Sequence, residues 1–351
     1  MKKITVNAKN AYNIIIGEKT LEECGILIKQ NFGDRNYCII SDDIVWKLYG
    51  AVLEKTLTEN SISFKHFIFK NGEKSKNLST ANDIYNFLSK INFTRNDIII
   101  AFGGGVVGDI SGFVASTYLR GVKYIQIPTT FLAQIDSSVG GKTAVDIAAG
   151  KNLVGTFWQP SEVYCDPCLL KTLSADIFSD GASEAIKYGV IYDKNIFQLI
   201  ANDINEHLNE IIYKCISIKR DIVEKDEFDN GIRMILNFGH TLGHCIEMHS
   251  GFRITHGKAI AIGMSIICKY GEEYGYTKKG TYDLLTYTLR KNHLPTSYEA
   301  KLNEFIDIAK NDKKCSGDNI TIAFLEQIGK ATTATLPFEE FKQNLLKLKL
   351  D

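Results

Sequence analysis

Four of the seven histidines lie between residues 240 and 256: two in Asn237-Phe238-Gly239-His240-Thr241-Leu242-Gly243-His244, then His249 and His256-Gly257. Imidazole titrates near neutrality and is a common metal ligand, so a cluster of histidines is a candidate for metal or proton chemistry. On a helix His240 and His244 stand one turn apart on one face, a spacing that lets two imidazoles meet one cation or one substrate. A polar helix face is the plainer explanation of an isolated His-x-x-x-His pair. Here Ile235, Leu236, Phe238, Leu242 and Ile246 flank the pair. They put the imidazoles in protein rather than water, where they need partners. His256-Gly257 opens a long apolar helix, Ala259 to Tyr270, which can face the pair from a second element. His249 is incidental.

A second constellation is built on glycine. Gly103-Gly104-Gly105-Val106-Val107-Gly108 fits Gly-x-Gly-x-x-Gly, directly after the apolar run Asp97 to Phe102 and at the head of a helical pattern, Val106 to Leu119. Glycines there let backbone amides approach a pyrophosphate at the positive end of a helix, and strand before and helix after are the context the motif requires. The loop follows a later strand, whereas the usual dinucleotide fold places it on the first. Ser41-Asp42-Asp43, at the end of an earlier strand, supplies an acid for ribose hydroxyls, and a carboxylate there favours NAD over NADP.

Residues 129 to 160 are rich in glycine, lysine and small polar groups: Thr129-Thr130, Asp136-Ser137-Ser138-Val139-Gly140-Gly141-Lys142-Thr143, and Gly150-Lys151-Asn152. The phosphate-loop pattern of an ATPase is not met, because Ile135 stands where its first glycine belongs. Lysines on glycine-rich backbone still suit an anionic or phosphorylated ligand. Lys187, three residues after Glu184 on a predicted helix, shares its face. Arg233, four residues before Asn237, points to the side of the histidines, and its fork suits a carboxylate. Cys165-Asp166-Pro167-Cys168 has no second Cys-x-x-Cys to complete a zinc ribbon and is structural.

The elements that must position these groups fall into two textures. Through residue 130, short apolar runs (Tyr37 to Ile40, Phe64 to Phe69, Asp97 to Phe102, Tyr124 to Ile127) end in turn residues. They alternate with helical stretches at Val45 to Glu59, Ala81 to Lys90 and Val106 to Leu119. That pattern predicts a Rossmann-like parallel α/β sheet. After about residue 175, long helical patterns dominate: Ala182 to Val190, Ile196 to Lys225, Ile235 to Met248, Lys258 to Tyr274 and Thr281 to Lys291, with a late hairpin at Ile320 to Phe324 and Gly329 to Thr332. At 351 residues two domains are expected. They are an NAD-binding α/β domain over 1–172 and a mainly α-helical, metal- and substrate-binding domain over 173–351, with the active site in the cleft between them.

Equal numbers of basic and acidic residues, 41 each, remove any argument for nucleic acid or a membrane surface as the main partner. No apolar run reaches spanning length. The eight cysteines lie mostly in apolar runs without framework spacing, which suits reduced thiols in the cytoplasm.

The motifs quoted, together with Pro128-Thr129-Thr130 and Glu184-Ala185-Ile186-Lys187-Tyr188-Gly189, occur in the order and spacing of the 3-dehydroquinate synthases, and the chain resembles that family from about residue 37 to 330. The resemblance implies an NAD-dependent Zn²⁺ or Co²⁺ lyase, usually a homodimer. Such an enzyme converts 3-deoxy-D-arabino-heptulosonate 7-phosphate to 3-dehydroquinate by transient oxidation, phosphate elimination, re-reduction, ring opening and aldol cyclisation. It implies Glu184, His240 and His256 as metal ligands. Lys142, Lys187, Asp229, Asn237 and His244 are implied as catalytic. Asp136, Lys142, Lys151, Asn152, Lys187, Lys219, Arg233, Asn237, His244 and Lys313 are implied to line the substrate, with Arg120 reaching in from a partner subunit. Asp42, Glu73, Lys74, Gly103, Gly104, Gly105, Asp109, Thr129, Thr130, Lys142, Lys151 and Thr172 are implied to meet the nucleotide.

Two positions depart from the family pattern. Asp229 stands where a glutamate is usual, and Lys258 replaces the usual glutamate after His256-Gly257, which removes an acid expected behind a metal ligand. Related sugar phosphate cyclases, such as 2-deoxy-scyllo-inosose synthase, share most of these motifs. A glycerol dehydrogenase-like polyol dehydrogenase would not need the cations Lys142, Lys151 and Arg233. A regulatory nucleotide-binding module would not need Glu184, His240 and His256.

Overall fold

The structure, a computed structural model, describes residues 1–229, 231–311, 315–316 and 318–349, with only the backbone at 310, 311, 315 and 316. An antiparallel pair, Lys2–Val6 (β1) and Tyr12–Ile16 (β2), precedes a run of alternating elements. These are Thr20–Phe32 (α1), Asn36–Asp42 (β3), Asp43–Glu59 (α2), Ser63–Phe69 (β4), Leu78–Lys90 (α3), Ile98–Gly103 (β5), Gly105–Thr117 (α4) and Lys123–Pro128 (β6). A hairpin of Lys142–Ile147 (β7) and Gly150–Phe157 (β8) follows, and then Glu162–Cys165 (β9).

Seven strands form one sheet in the order β1-β2-β9-β6-β5-β3-β4, parallel from β2 to β4. Both faces are covered, so the strands are apolar at consecutive positions rather than alternately. Cys38, Ile40, Ile99 and Ala101 face the core shared with Ala81 and Ile84 of α3 and Ile110 and Val114 of α4. Their neighbours Tyr37, Ile39, Ile98, Ile100 and Phe102 face Leu21 and Ile28 of α1 and Leu53 and Leu57 of α2. From β3 the chain moves outward to β4 and returns to place β5 on the other side of β3. The sheet therefore reverses direction between β3 and β5, and ligands of open α/β sheets sit beyond strand C-termini at such a reversal. The glycine loop follows β5, so a loop on a late strand in sequence stands at the switch point in space.

The remaining elements are mainly helical: Ala175–Ile191 (α5), Lys194–Asp203 (α6), Leu208–Lys225 (α7), His240–His249 (α8), His256–Glu273 (α9), Thr281–Lys291 (α10) and Leu302–Phe305 (α11). A small antiparallel sheet of Cys315–Ser316 (β10), Asn319–Gln327 (β11) and Lys330–Pro337 (β12), and the helix Phe338–Leu346 (α12), end the chain. The helical stretch expected over Ile196 to Lys225 is two helices. The one expected over Ile235 to Met248 is a 3-10 turn, Ile232–Asn237, followed by α8. Among the described residues no helix is long and apolar enough to cross a membrane.

Two compact units result, Met1–Leu173 with Lys219–Phe228, and Ser174–Ile218 with Asp229–Asp351. The division is not continuous in the chain, unlike the expected boundary at 172/173. Residues 219–228 join the first unit because their side chains are claimed there. Lys219 Nζ lies 2.8 Å from Asp136 Oδ1, the backbone N–H of Asn7 donates to Glu224 Oε1 (2.7 Å), and that of Lys9 donates to Glu227 Oε2 (3.0 Å).

Candidate active site

In the first unit the candidate groups gather where strands end. Gly103 carbonyl accepts from Thr129 N–H at 3.0 Å, which brings Pro128-Thr129-Thr130 beside the glycine loop. A Cβ on Gly103 would lie 2.4 Å from Val107 Cγ2, and one on Gly104 2.9 Å from Thr130 Cγ2, so neither position admits a side chain without displacement. Helix α4 starts with no side-chain cap, and the Thr129 hydroxyl is buried without a hydrogen-bond partner. Uncapped amides and bare backbone at the switch point fit a dinucleotide pyrophosphate. Asp42 ends β3 beside this loop, but its Oδ1 accepts from Ile44 and Val45 N–H and caps α2. Only its second oxygen is left for a ribose. Thr172 Oγ1 lies 2.6 Å from the Tyr49 hydroxyl.

Nearby, Lys76 Nζ donates to Asp109 Oδ2 (2.5 Å) and Asn152 Oδ1 (2.6 Å), and Lys151 Nζ lies 3.4 Å from Glu73 Oε1. One buried ammonium thus ties a residue expected to meet the nucleotide to one expected to meet the substrate. Burial works against its charge, but Asp109 and Glu73 hold the Lys76 ammonium above the ordinary lysine range. Lys76 was not singled out in the sequence, although it ends the Glu73-Lys74-Ser75-Lys76 run in which the first two residues were. Lys74 is exposed, as are Lys142 at the start of β7 and Arg120, which adopts a left-handed φ of 65°. Asp136 lies in a π turn, Ala133–Ser137, opposite Lys219.

In the second unit Glu184, His240 and His256 converge. Their donor atoms lie within 4.8 Å of one another, and the Nε2 atoms of both histidines stand 3.4 Å from Glu184 Oε1. Glu184 is 1% exposed; Lys187 Nζ lies against its Oε2, and its Oε1 has no hydrogen-bond partner. A buried carboxylate with an ammonium on one oxygen and two imidazoles facing the other has the donor set of a Zn²⁺ or Co²⁺ site. His240 and His244 also face one another, ring centroids 5.5 Å apart, but His244 is exposed and is not in the Glu184 set.

Backbone contact sets the spacing of these helices. Gly239, with a φ of 79°, ends the approach to α8, and a Cβ there would lie 2.7 Å from Met264 N. A Cβ on Gly263 of α9 would lie 2.0 Å from Gly239 O and 2.9 Å from Gly243 N. Helices α8 and α9 therefore touch through glycine, which brings His240 and His256 to ring centroids 5.4 Å apart.

The start of α9 is held from α5. Thr255 occupies the N-cap position but makes no side-chain cap; instead Asp180 Oδ1 accepts from Gly257 N–H (3.0 Å) and Thr255 Oγ1–H (2.6 Å). Lys258 Nζ donates to Asp176 Oδ1 at 2.7 Å. Asp176, Asp180 and Glu184 follow at four-residue intervals, one face of α5. The acid behind His256 is not missing. Glu247 Oε2 lies 3.3 Å from His256 Nδ1, while Lys258 turns to Asp176. Glu247, three residues after His244 on the same helix face, and Asp180 were both legible by helical spacing and were not singled out.

Electrostatics follow from this clustering. Burial opposes ionisation of Glu184, yet Lys187 and His240 hold its carboxyl well below the usual range. Burial and the charge of Lys187 push His240 down to about 4. Burial also opposes charge on His256, but Glu184 and Glu247 push it up to about 10.

The other expected residues of this unit are placed as follows. Arg233 is buried, 1% exposed, in the 3-10 turn, and Asn237 ends that turn half-buried. A 3-10 turn has no four-residue face, so the helical spacing that aimed Arg233 at the histidines does not apply. Asp229 has a left-handed φ of 62°. Lys313 lies outside the described residues.

The chain matches the family profiles described as "3-dehydroquinate synthase N-terminal" over residues 66–180 and "3-dehydroquinate synthase C-terminal" over residues 181–315. It is 45% identical over 337 residues to the 3-dehydroquinate synthase of Clostridium kluyveri, covering 94% of each chain. It is 45% identical over 328 residues to that of Clostridium acetobutylicum, covering 92% of each. Among solved structures, a 2-deoxy-scyllo-inosose synthase complexed with carbaglucose-6-phosphate, NAD+ and Co2+ superposes with a TM-score of 0.89 at 25% identity, covering 99% of this chain and 100% of the other. With both family profiles matched in sequence order and relatives this similar over nearly their whole length, the chain belongs to the 3-dehydroquinate synthase family.

Proposed function

We propose that this chain is a 3-dehydroquinate synthase: a carbon–oxygen lyase that takes 3-deoxy-D-arabino-heptulosonate 7-phosphate to 3-dehydroquinate and phosphate, using NAD and one divalent metal ion. The observation that carries the chemistry is the convergence of His240 and His256 on one oxygen of buried Glu184, beside Lys187. When bound, NAD supplies a hydride acceptor that becomes the donor, and the metal ion supplies a Lewis acid.

The chain's own residues divide the remaining work. Gly103, Gly104, Gly105, Thr129, Thr130 and Thr172 receive the nucleotide, with Asp42, Glu73, Lys74 and Asp109 on its polar groups. Glu184, His240 and His256 hold the metal, Zn²⁺ or Co²⁺, both of which suit one carboxylate and two imidazoles. Arg233 binds the substrate carboxylate, a planar fork against a planar anion. Lys142, Lys151, Asn152 and His244 receive the phosphate, and Lys187 and Asn237 stabilise oxyanions that develop when a proton leaves the carbon next to a carbonyl. Asp136, fixed by Lys219, completes the polar lining. Asp229 handles a proton with a side chain one methylene shorter than the usual glutamate.

We further propose a cytoplasmic homodimer in which exposed Arg120 is offered to the partner subunit. The test is incubation with NAD, Zn²⁺ and the heptulosonate phosphate, following phosphate and NADH together. Phosphate release without net NADH is expected. Net NADH accumulation would make the protein a polyol dehydrogenase.

A further inference from the structure

We propose that Glu247 is a positioning residue of the candidate metal centre: its carboxylate holds the Nδ1–H of His256, so that Nε2 is the nitrogen presented to a metal ion toward Glu184 and His240. This rests on assigning the metal to Glu184, His240 and His256.

The two nitrogens of His256 are both engaged, on opposite sides of the ring. Nδ1 lies 3.3 Å from Glu247 Oε2 and Nε2 lies 3.4 Å from Glu184 Oε1. A metal ion can take only a nitrogen that gives up its proton, and the proton that stays is the one held by the fixed acceptor at Nδ1. His240 repeats the arrangement with different chemistry, its Nδ1 being 3.2 Å from the carbonyl oxygen of Phe238 while its Nε2 faces Glu184. Both imidazoles therefore have an acceptor behind them and the same nitrogen in front. An acceptor in that place orients the ring and raises its basicity as a ligand.

Glu247 is itself buried. It is 5% exposed on α8, and its main-chain carbonyl accepts from Ser250 Oγ–H (2.9 Å) and Phe252 N–H (2.9 Å), which closes the helix behind it. The lysine at 258, which replaces the family's usual glutamate, faces Asp176, so the acid behind His256 comes from the neighbouring helix. His244, Glu247 and His256 also have donor atoms within 4.8 Å of one another. A metal held by that set would need His256 Nδ1 and would exclude the arrangement proposed.

The test uses the full-length protein stripped with a chelator. Zn²⁺ affinity is measured in competition with a chromophoric chelator for wild type, Glu184→Gln, Glu247→Gln and Glu247→Leu, and the loaded proteins are examined by ¹⁵N NMR of histidine. Wild type should bind one Zn²⁺ tightly with His256 protonated at Nδ1. Glu247→Leu should weaken binding by roughly 10- to 100-fold, and Glu247→Gln, which keeps an acceptor oxygen without the charge, by less. Melting of the stripped proteins checks folding, and Glu247→Gln decides if the leucine variant does not fold. Unchanged affinity in both Glu247 variants, with Glu184→Gln defective, overturns the proposal and leaves the metal site intact. So does a wild-type His256 metallated at Nδ1. Wild-type affinity in Glu184→Gln overturns the metal assignment itself.

Discussion

Asp180→Ala should loosen the start of α9 selectively. Asp180 Oδ1 serves Gly257 N–H and Thr255 Oγ1–H, in place of a cap that Thr255 does not make for its own helix. Losing a cap, which leaves the Gly257 N–H without its acceptor, costs about 1 kcal/mol, and removing a negative charge from a helix N-terminus about 0.5 kcal/mol. The sum is about 1.5 kcal/mol, or roughly 12-fold in a local opening constant at about 1.4 kcal/mol per tenfold. Native-state hydrogen exchange reads that constant residue by residue, which suits a chain of two units that need not unfold together. The Gly257 and Lys258 amides should exchange roughly 12-fold faster, with the strands of the parallel sheet unchanged. Asp180→Asn retains an acceptor oxygen and should show only about a twofold effect, from the lost charge. Unchanged protection at Gly257 in Asp180→Ala would refute capping from α5, and equal acceleration in the two variants would mean that charge alone mattered.

Two further outcomes follow from the packing and the buried acids. Gly263→Ala puts a methyl 2.0 Å from the Gly239 carbonyl, where backbone faces backbone; it should lower the melting temperature and weaken Zn²⁺ binding together. Stability should also fall at alkaline pH. Burial pushes Cys24, Cys38 and Tyr37 up to about 12 each, from 9.0 for the thiols and 10.0 for the phenol. A raised native pKa stabilises below the unfolded value and is lost as pH rises toward the native one, so the loss runs from about pH 9 to 12 at up to about 1.4 kcal/mol per pH unit per group. Urea midpoints from pH 7 to 11 should decline over that window and decline less in Cys38→Ala; a flat profile would contradict the sign.

Local signals in the chain carried the α/β alternation, because runs such as Ile98 to Phe102 bury consecutive residues on two faces and are bounded by glycine. They also carried the glycine loop and the cluster of histidines. Its partition among elements was less visible. The helical pattern from Ile235 runs through Gly239, but a φ of 79° there breaks it, so α8 begins at His240 itself. The return of residues 219–228 to the first unit depends on Asn7, Lys9 and Asp136, more than eighty positions away, and no local pattern encodes such partners. Lys76 is indistinguishable in sequence from a solvated lysine. Only the fold brings Asp109 and Asn152 to it and makes it a buried cation.

The glycine contact between α8 and α9 bears on how the centre tolerates change elsewhere. Where side chains separate two helices, their distance follows the volume and rotamers of those side chains, and a conservative exchange in the core moves it. Main chain resting on main chain has no rotamers. The interval between His240 and His256 is thereby insulated from drift in the surrounding apolar residues, which are free to vary in stability without retuning the ligands. The constraint is concentrated into two positions, Gly239 and Gly263, where no freedom is left.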